Sequence, residues 1–145
     1  SLLAFDIQEQ ALETSQAKIN QINTTATNHQ FILDSHANIE QYLENDAQIH
    51  GAIFNLGYLP KGDHSITTRA DSTMEALEKM QRYLVKGGKI IVVVYPGHPE
   101  GQIEKERLLQ KLPSWPQTFF QVLQYQLINQ ANNPPFVLVI ERIKD

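Results

Sequence analysis

Apolar residues fall along the chain in two rhythms. Short runs such as Leu2-Leu3-Ala4-Phe5, Phe31-Ile32-Leu33, Gly51-Ala52-Ile53-Phe54 and Ile90 to Val94 alternate with stretches where they recur every three or four positions. The runs predict strands near residues 2–6, 29–34, 50–56, 89–95, 118–128 and 136–143, and the longer period predicts helices near 8–22, 37–45, 69–85 and 100–112. Strands that alternate with helices in this way build a mostly parallel sheet with helices on both faces, an α/β fold.

Two elements are sharply marked. Met74, Leu77, Met80 and Leu84 line one face of the third helix, Ser72 and Glu75 match a capping box, and Gly87-Gly88 is expected to end it. Ile90 to Val94 is an unbroken β-branched run, as a strand buried on both faces requires. Only residues 129–135 separate the last two strands, too few for a crossover helix, so these strands form an antiparallel hairpin. The final strand then runs against the rest, unlike the all-parallel dinucleotide-binding sheet.

Composition narrows the picture. At 145 residues with 41% hydrophobic and 19% charged positions, the chain suits one globular domain over 1–145. No apolar run is long enough to span a bilayer and no signal-like start is present, which predicts a cytoplasmic protein without a membrane partner. The absence of cysteine excludes disulfides, thiolate metal sites and a cysteine nucleophile. A net charge of −4 argues against bulk electrostatic gripping of nucleic acid. Residues 1–50 hold Lys18 against seven acids, whereas residues 51–145 hold eleven Lys and Arg against nine acids, so an RNA contact would favour the second half.

In open α/β sheets, ligands bind beyond the carboxyl ends of the parallel strands. Asp6 closes the first run: a carboxylate there accepts both hydroxyls of a ribose, and it equally suits a helix N-cap. Asp34-Ser35-His36-Ala37-Asn38 follows the second strand, where polar groups and free helix amides could read an adenine edge or simply cap the helix. Asn55-Leu56-Gly57-Tyr58-Leu59-Pro60 follows the third; it resembles the Asn-Pro-Pro-Tyr loop of amino-group methyltransferases, in which acceptors orient the target nitrogen and the aromatic packs on the base, and a plain turn is the alternative. Tyr95-Pro96-Gly97-His98-Pro99-Glu100-Gly101 and Asn129 to Phe136 are two loops expected on the same rim. The Asn133-Pro134-Pro135-Phe136 stretch reads as a substrate-side wall or a structural hairpin.

Together, Ala4-Phe5-Asp6-Ile7-Gln8, the segment Asn55 to Asp63, Tyr95-Pro96-Gly97-His98 with Gly101, and Asn129-Gln130 through Pro134-Pro135 to Ile140-Glu141 resemble the bacterial rRNA methylase family. That family is associated with methylating 5-aminomethyl-2-thiouridine at the wobble position of tRNA. The stretches cover nearly the whole chain in order. The resemblance implies a Rossmann-like class I methyltransferase sheet, mostly parallel with a C-terminal antiparallel hairpin. One departure stands out. The family opens with a strand and a glycine-rich loop that embraces the methionine part of the cofactor, a unit of roughly 30 residues. This chain begins at the family's second strand and reads as N-terminally truncated. The family's first strand is central, lying between its second and fourth, so its loss should expose apolar edges.

The resemblance further implies methyl transfer from S-adenosylmethionine to an exocyclic amine in tRNA. Such an amine titrates near about 10 and must lose a proton before it attacks. The roles implied are Asn55 and the Leu56 carbonyl orienting the amine, Tyr58 packing on the base and His98 as candidate proton acceptor. Asp6 and Ile7 would sit at the cofactor ribose, Ser35 and His36 at the adenine, with Asn55 bordering the cofactor; Gly57, Tyr95, Asn133 and Pro134 would line the substrate side. No metal is required, the anticodon region of tRNA is the implied partner, and a homodimer is a further expectation. Two rivals stay open: a noncatalytic nucleotide- or RNA-binding module, and a methyltransferase for a small amine or protein side chain.

Overall fold

The computed structural model describes residues 1–22, 28–56 and 70–145. Strand β1 (Leu2–Asp6), helix α1 (Glu9–Ile22) and strand β2 (His29–Leu33) open the chain, followed by a 3-10 helix at His36–Tyr42. Strand β3 (Ile49–Leu56), helix α2 (Ala70–Met80), strand β4 (Leu84–Val94) and helix α3 (Pro99–Lys111) come next, and strands β5 (Phe120–Tyr125) and β6 (Phe136–Arg142) close it. The strands form two sheets, a parallel pair β1-β2 and a four-stranded sheet in the order β3-β4-β6-β5.

Strand directions agree with the sequence pattern. β3 and β4 are parallel, β6 is antiparallel to β4, and β5 pairs antiparallel with β6 as the predicted hairpin. The division between β1 and β3 falls where the resemblance places an additional central strand. Apolar side chains beside it lie open: Ile53 on β3 is 74% exposed and Leu2 on β1 is 54% exposed.

The core lies on one face of the larger sheet. Met74, Leu77 and Met80 of α2 pack with Ile90, Val92 and Val94 of β4, Leu138 and Ile140 of β6, and Leu108 of α3, all buried. Helices α2 and α3 pack on each other. The alternate residues of β4, Ile91 and Val93, are only half-buried, so the expected burial of this strand on both faces holds for one face alone.

Three local expectations need correction. Residues 37–45 are not an α-helix: the 3-10 turns at His36–Tyr42 carry the polar stretch instead. Ser72 and Glu75 do not form a capping box, because α2 already runs from Ala70; Glu75 instead pairs with Lys79 at 2.8 Å, one turn on. Gly87-Gly88 does not end a helix. α2 stops at Met80, and Gly87, with a φ of 80°, sits where the β3-β4 register jumps from Ile49–Leu84 to Gly51–Lys89. That positive φ is costly for any residue with a Cβ, so a glycine belongs there.

The 3-10 segment ties the two sheets together. Ala37 and Ile39 are buried, Lys79 Nζ of α2 donates to the Ala37 carbonyl at 2.6 Å, and Arg82 lies 3.3 Å from Glu40. On its other side Tyr42 meets the Phe5 ring of β1 edge-on, with centroids 5.3 Å apart. No described helix is long and apolar enough to cross a membrane.

Candidate functional site

The strand ends carry the polar side chains that the sequence singled out. Asp6 ends β1, and its Oδ1 accepts from the Gln8 amide at 2.9 Å, in the turn that opens α1. This is the local, cap-like role weighed for it, and it engages one oxygen; no described residue donates to Oδ2. Ile7 beside it is exposed.

After β2, Asp34 organises the next turn. Its carboxylate accepts from the Ser35 amide at 2.7 Å, Asn38 Nδ2 at 2.8 Å and the Tyr42 hydroxyl at 2.7 Å. These donors, Tyr42 foremost, hold its carboxyl below the ordinary carboxylate range. The Ser35 side chain accepts from the Ala37 amide at 3.2 Å, so its hydroxyl serves as the N-cap of the 3-10 helix. Sequence reasoning gives Asp34, Asn38 and Tyr42 no individual roles; the i, i+4, i+8 spacing of polar groups is the available signal.

His36 points inward. Its Nε2 lies 3.4 Å from Ser72 Oγ, and its ring meets Phe54 edge-on at 5.2 Å. Burial lowers its pKa, and the Asp6 charge opposes that shift in part. The ring is therefore neutral at neutral pH, and Asp6 lies within its electrostatic reach. Two of the predicted cofactor-side residues thus share one neighbourhood, and Phe54 links it to the next strand end.

Asn55 and Tyr95 meet at the ends of β3 and β4. The Tyr95 hydroxyl donates to Asn55 Oδ1 at 2.7 Å. The Leu56 backbone pairs with Val94 in the same ladder. Gly57 and Tyr58 lie outside the described residues.

Beyond Tyr95 the chain turns sharply into α3. A Cβ on Gly101 would lie 1.8 Å from the Tyr95 carbonyl oxygen, so only glycine permits this approach. His98 is the N-cap of α3: its Nδ1 accepts from the Gly101 amide at 3.2 Å and lies 3.4 Å from Glu100 Oε2. That geometry gives His98 a helix-capping task. Gly97 faces the hairpin loop, where a Cβ would come within 3.9 Å of the Asn133 carbonyl. The two loops therefore do share one rim, with Asn133 in the left-handed region (φ 50°) and Pro134 half-buried. Among the described residues no cluster of His, Asp and Glu suits a metal ion.

Comparison with known proteins places this fold among methyltransferases. The family described as "Putative rRNA methylase" matches residues 2–141. The chain is 32% identical over 141 residues to the chloroplastic tRNA (mnm(5)s(2)U34)-methyltransferase of Arabidopsis thaliana, covering 96% of this chain and 52% of that protein. It therefore spans about half the length of this curated relative. A structure from Clostridium thermocellum, described in the same words as the family, superposes with a TM-score of 0.91 at 41% identity, covering 97% of this chain and 74% of the other. A Streptococcus mutans structure, a "putative methyltransferase" in complex with SAH, superposes with a TM-score of 0.86 at 39% identity and the same coverages.

Proposed function

This chain belongs to the rRNA methylase family, and on that premise we propose that the full protein is an S-adenosylmethionine-dependent methyltransferase acting on the exocyclic amine of a modified tRNA uridine, of the 5-aminomethyl-2-thiouridine kind. The observation that carries the reading is the 32% identity, over 96% of this chain, to a protein named as a methyltransferase of that nucleotide. The anticodon region of tRNA is the proposed partner, and the cytoplasm the proposed location.

The residues present suit the cofactor. Asp6 has a carboxylate oxygen with no donor among the described residues, in the position where an α/β sheet holds ribose hydroxyls. Ile7, exposed beside it, offers apolar contact, and the Ser35-His36 turn borders the same space with a neutral ring. S-adenosylmethionine supplies an activated methyl group when bound; the chain has to align and desolvate the acceptor. Asn55 and Tyr95 face the crevice from adjacent strand ends, and desolvation there favours the neutral amine that attacks. Asn133 and Pro134 wall the substrate side.

A homodimer is also proposed, through the exposed outer strand β5, where Leu123 and Tyr125 are 52% and 79% exposed. Light scattering of the full protein reads this directly, and a monomer mass removes it. The substrate assignment is tested by mass analysis of tRNA nucleosides from a strain lacking the gene. The methylated nucleoside should vanish and its unmethylated amine accumulate; an unchanged profile refutes the assignment. The net charge of −4 favours a small-amine substrate instead, and methyl transfer to small amines but not to bulk tRNA would establish that reading.

A further inference from the structure

An amide side chain carries its acceptor and its donor on opposite sides of one carbon, so a partner that fixes the oxygen also fixes the nitrogen. Asn55 is in this position. Its Oδ1 receives the Tyr95 hydroxyl, whereas its Nδ2 has no hydrogen bond to any described residue, and the residue is exposed at the sheet rim. What Asn55 presents beyond the strand end is therefore a donor. This reverses the polarity expected from sequence, in which the amide oxygen accepts from the target amine.

Tyr95 is itself held from behind. Its carbonyl oxygen sits so close to Gly101 that a methyl group there would overlap it, and the His98 side chain caps the helix whose first turn holds Gly101. The tyrosine backbone is thus clamped between the end of β4 and the start of α3. From that fixed backbone its hydroxyl reaches Asn55.

We infer that Tyr95 is a positioning residue that turns the Asn55 amide nitrogen toward the substrate, and that Asn55 recognises a hydrogen-bond acceptor there, a pyrimidine keto oxygen. The second half rests on the proposed tRNA substrate; the first does not. In a uracil the C4 carbonyl adjoins C5, so a donor on that oxygen lies beside a C5 aminomethyl group. Cytosine presents an amino group at the same place and would meet Asn55 donor to donor. Asn55 then selects uridine over cytidine, and the amine stays free to point its lone pair at the methyl group.

The test uses the full natural protein with S-adenosylmethionine and bulk tRNA. Tyr95→Phe should lower kcat/KM for tRNA roughly fivefold, the equilibrium equivalent of one ordinary hydrogen bond, with cofactor affinity unchanged. In an Asn55→Ala background the same change should have no further effect. Asn55→Asp keeps an acceptor for Tyr95 but has no donor at neutral pH, so it should be as slow as Asn55→Ala. A wild-type rate for Asn55→Asp overturns the donor assignment. Additive losses from the two positions overturn the positioning role. The Asn55 side-chain amide signals in a nitrogen-15 spectrum give a readout independent of turnover: they should move on Tyr95→Phe, and unmoved signals overturn the contact. If wild-type protein methylates no tRNA but those signals move, the substrate reading fails and the positioning role stands.

Discussion

Glu104 offers the sharpest physical test of the fold. It lies on α3 between Gly101 and Leu108, all three buried, and only 3% of its surface is exposed. Its Oε1 has no hydrogen-bond partner among the described residues. Burial pushes its pKa from the ordinary 4.5 to about 8. Between those values the folded protein keeps a proton that the unfolded chain has released. Stability contributed by this group is thus complete below about 4.5 and is lost as pH rises toward about 8. Each pH unit in that window costs about 1.4 kcal/mol, so about 3 kcal/mol disappears between roughly pH 5.5 and 7.5. That is a large share of the ~5–15 kcal/mol that a domain usually possesses. Glu104→Gln keeps the shape and removes the titration. Urea unfolding of the two proteins across this range should give lines that diverge by that slope, the variant gaining on the wild type as pH rises. Parallel lines would mean that Glu104 is not a neutral buried acid, and the reasoning from its burial would be wrong.

The other predictions concern the rim. Gly101→Ala should destabilise by about 1–3 kcal/mol, as overpacking does, although helix propensity alone favours Ala by ~1 kcal/mol; calorimetric melting gives the sign, and a gain refutes the close approach to Tyr95. Asp6→Ala should weaken S-adenosylmethionine binding at least tenfold by titration calorimetry while leaving the melting temperature within a few degrees, and unchanged affinity takes Asp6 out of the site. Tyr42→Phe removes the leading donor to Asp34, so the Asp34 carboxyl should titrate at higher pH in a carbon-detected spectrum. The depressed value favours folding above the ordinary 3.8 and loses that effect as pH falls through it; an unmoved titration denies the contact.

The strands are legible because each announces itself twice, by a β-branched or apolar run and by a polar residue where the run stops. Ile90 to Val94 and the short link before Phe136 are enough to give a central strand and a reversed last strand. Asp6, Asn55 and Tyr95 stand at or beside strand ends for the same reason. What fails is wherever a local motif competes with tertiary contact. Ser72 and Glu75 have the spacing of a capping box, but the helix starts earlier and both side chains face other partners, His36 and Lys79. Gly87-Gly88 resembles a helix stop and instead serves a register jump. On α3 the pattern is inverted: Ile103 is 58% exposed while Glu104 is buried, the opposite of what hydropathy selects. The pairing of Tyr95 with Asn55 spans 40 positions, and nothing in either local sequence encodes it.

A series of contacts runs along the rim from one strand end to the next. Among the described residues β1 and β3 belong to different sheets, and no backbone ladder joins them. The relation between Asp6 and Asn55 passes instead through contacts: the Asp6 charge acts on His36, the His36 ring packs on Phe54, and Phe54 precedes Asn55 on β3. From Asn55 the series continues to Tyr95 by one hydrogen bond and to Gly101 by backbone contact. The one hydrogen bond in the series is worth about 1 kcal/mol, so it does not hold the fold, yet a displacement at any link moves one strand end relative to another. Methyl transfer depends on in-line placement of acceptor and methyl. Side-chain substitutions at Asp6, Asn55 and Tyr95 should therefore depress turnover much more than they depress stability, whereas Glu104, one turn beyond Gly101, should do the reverse.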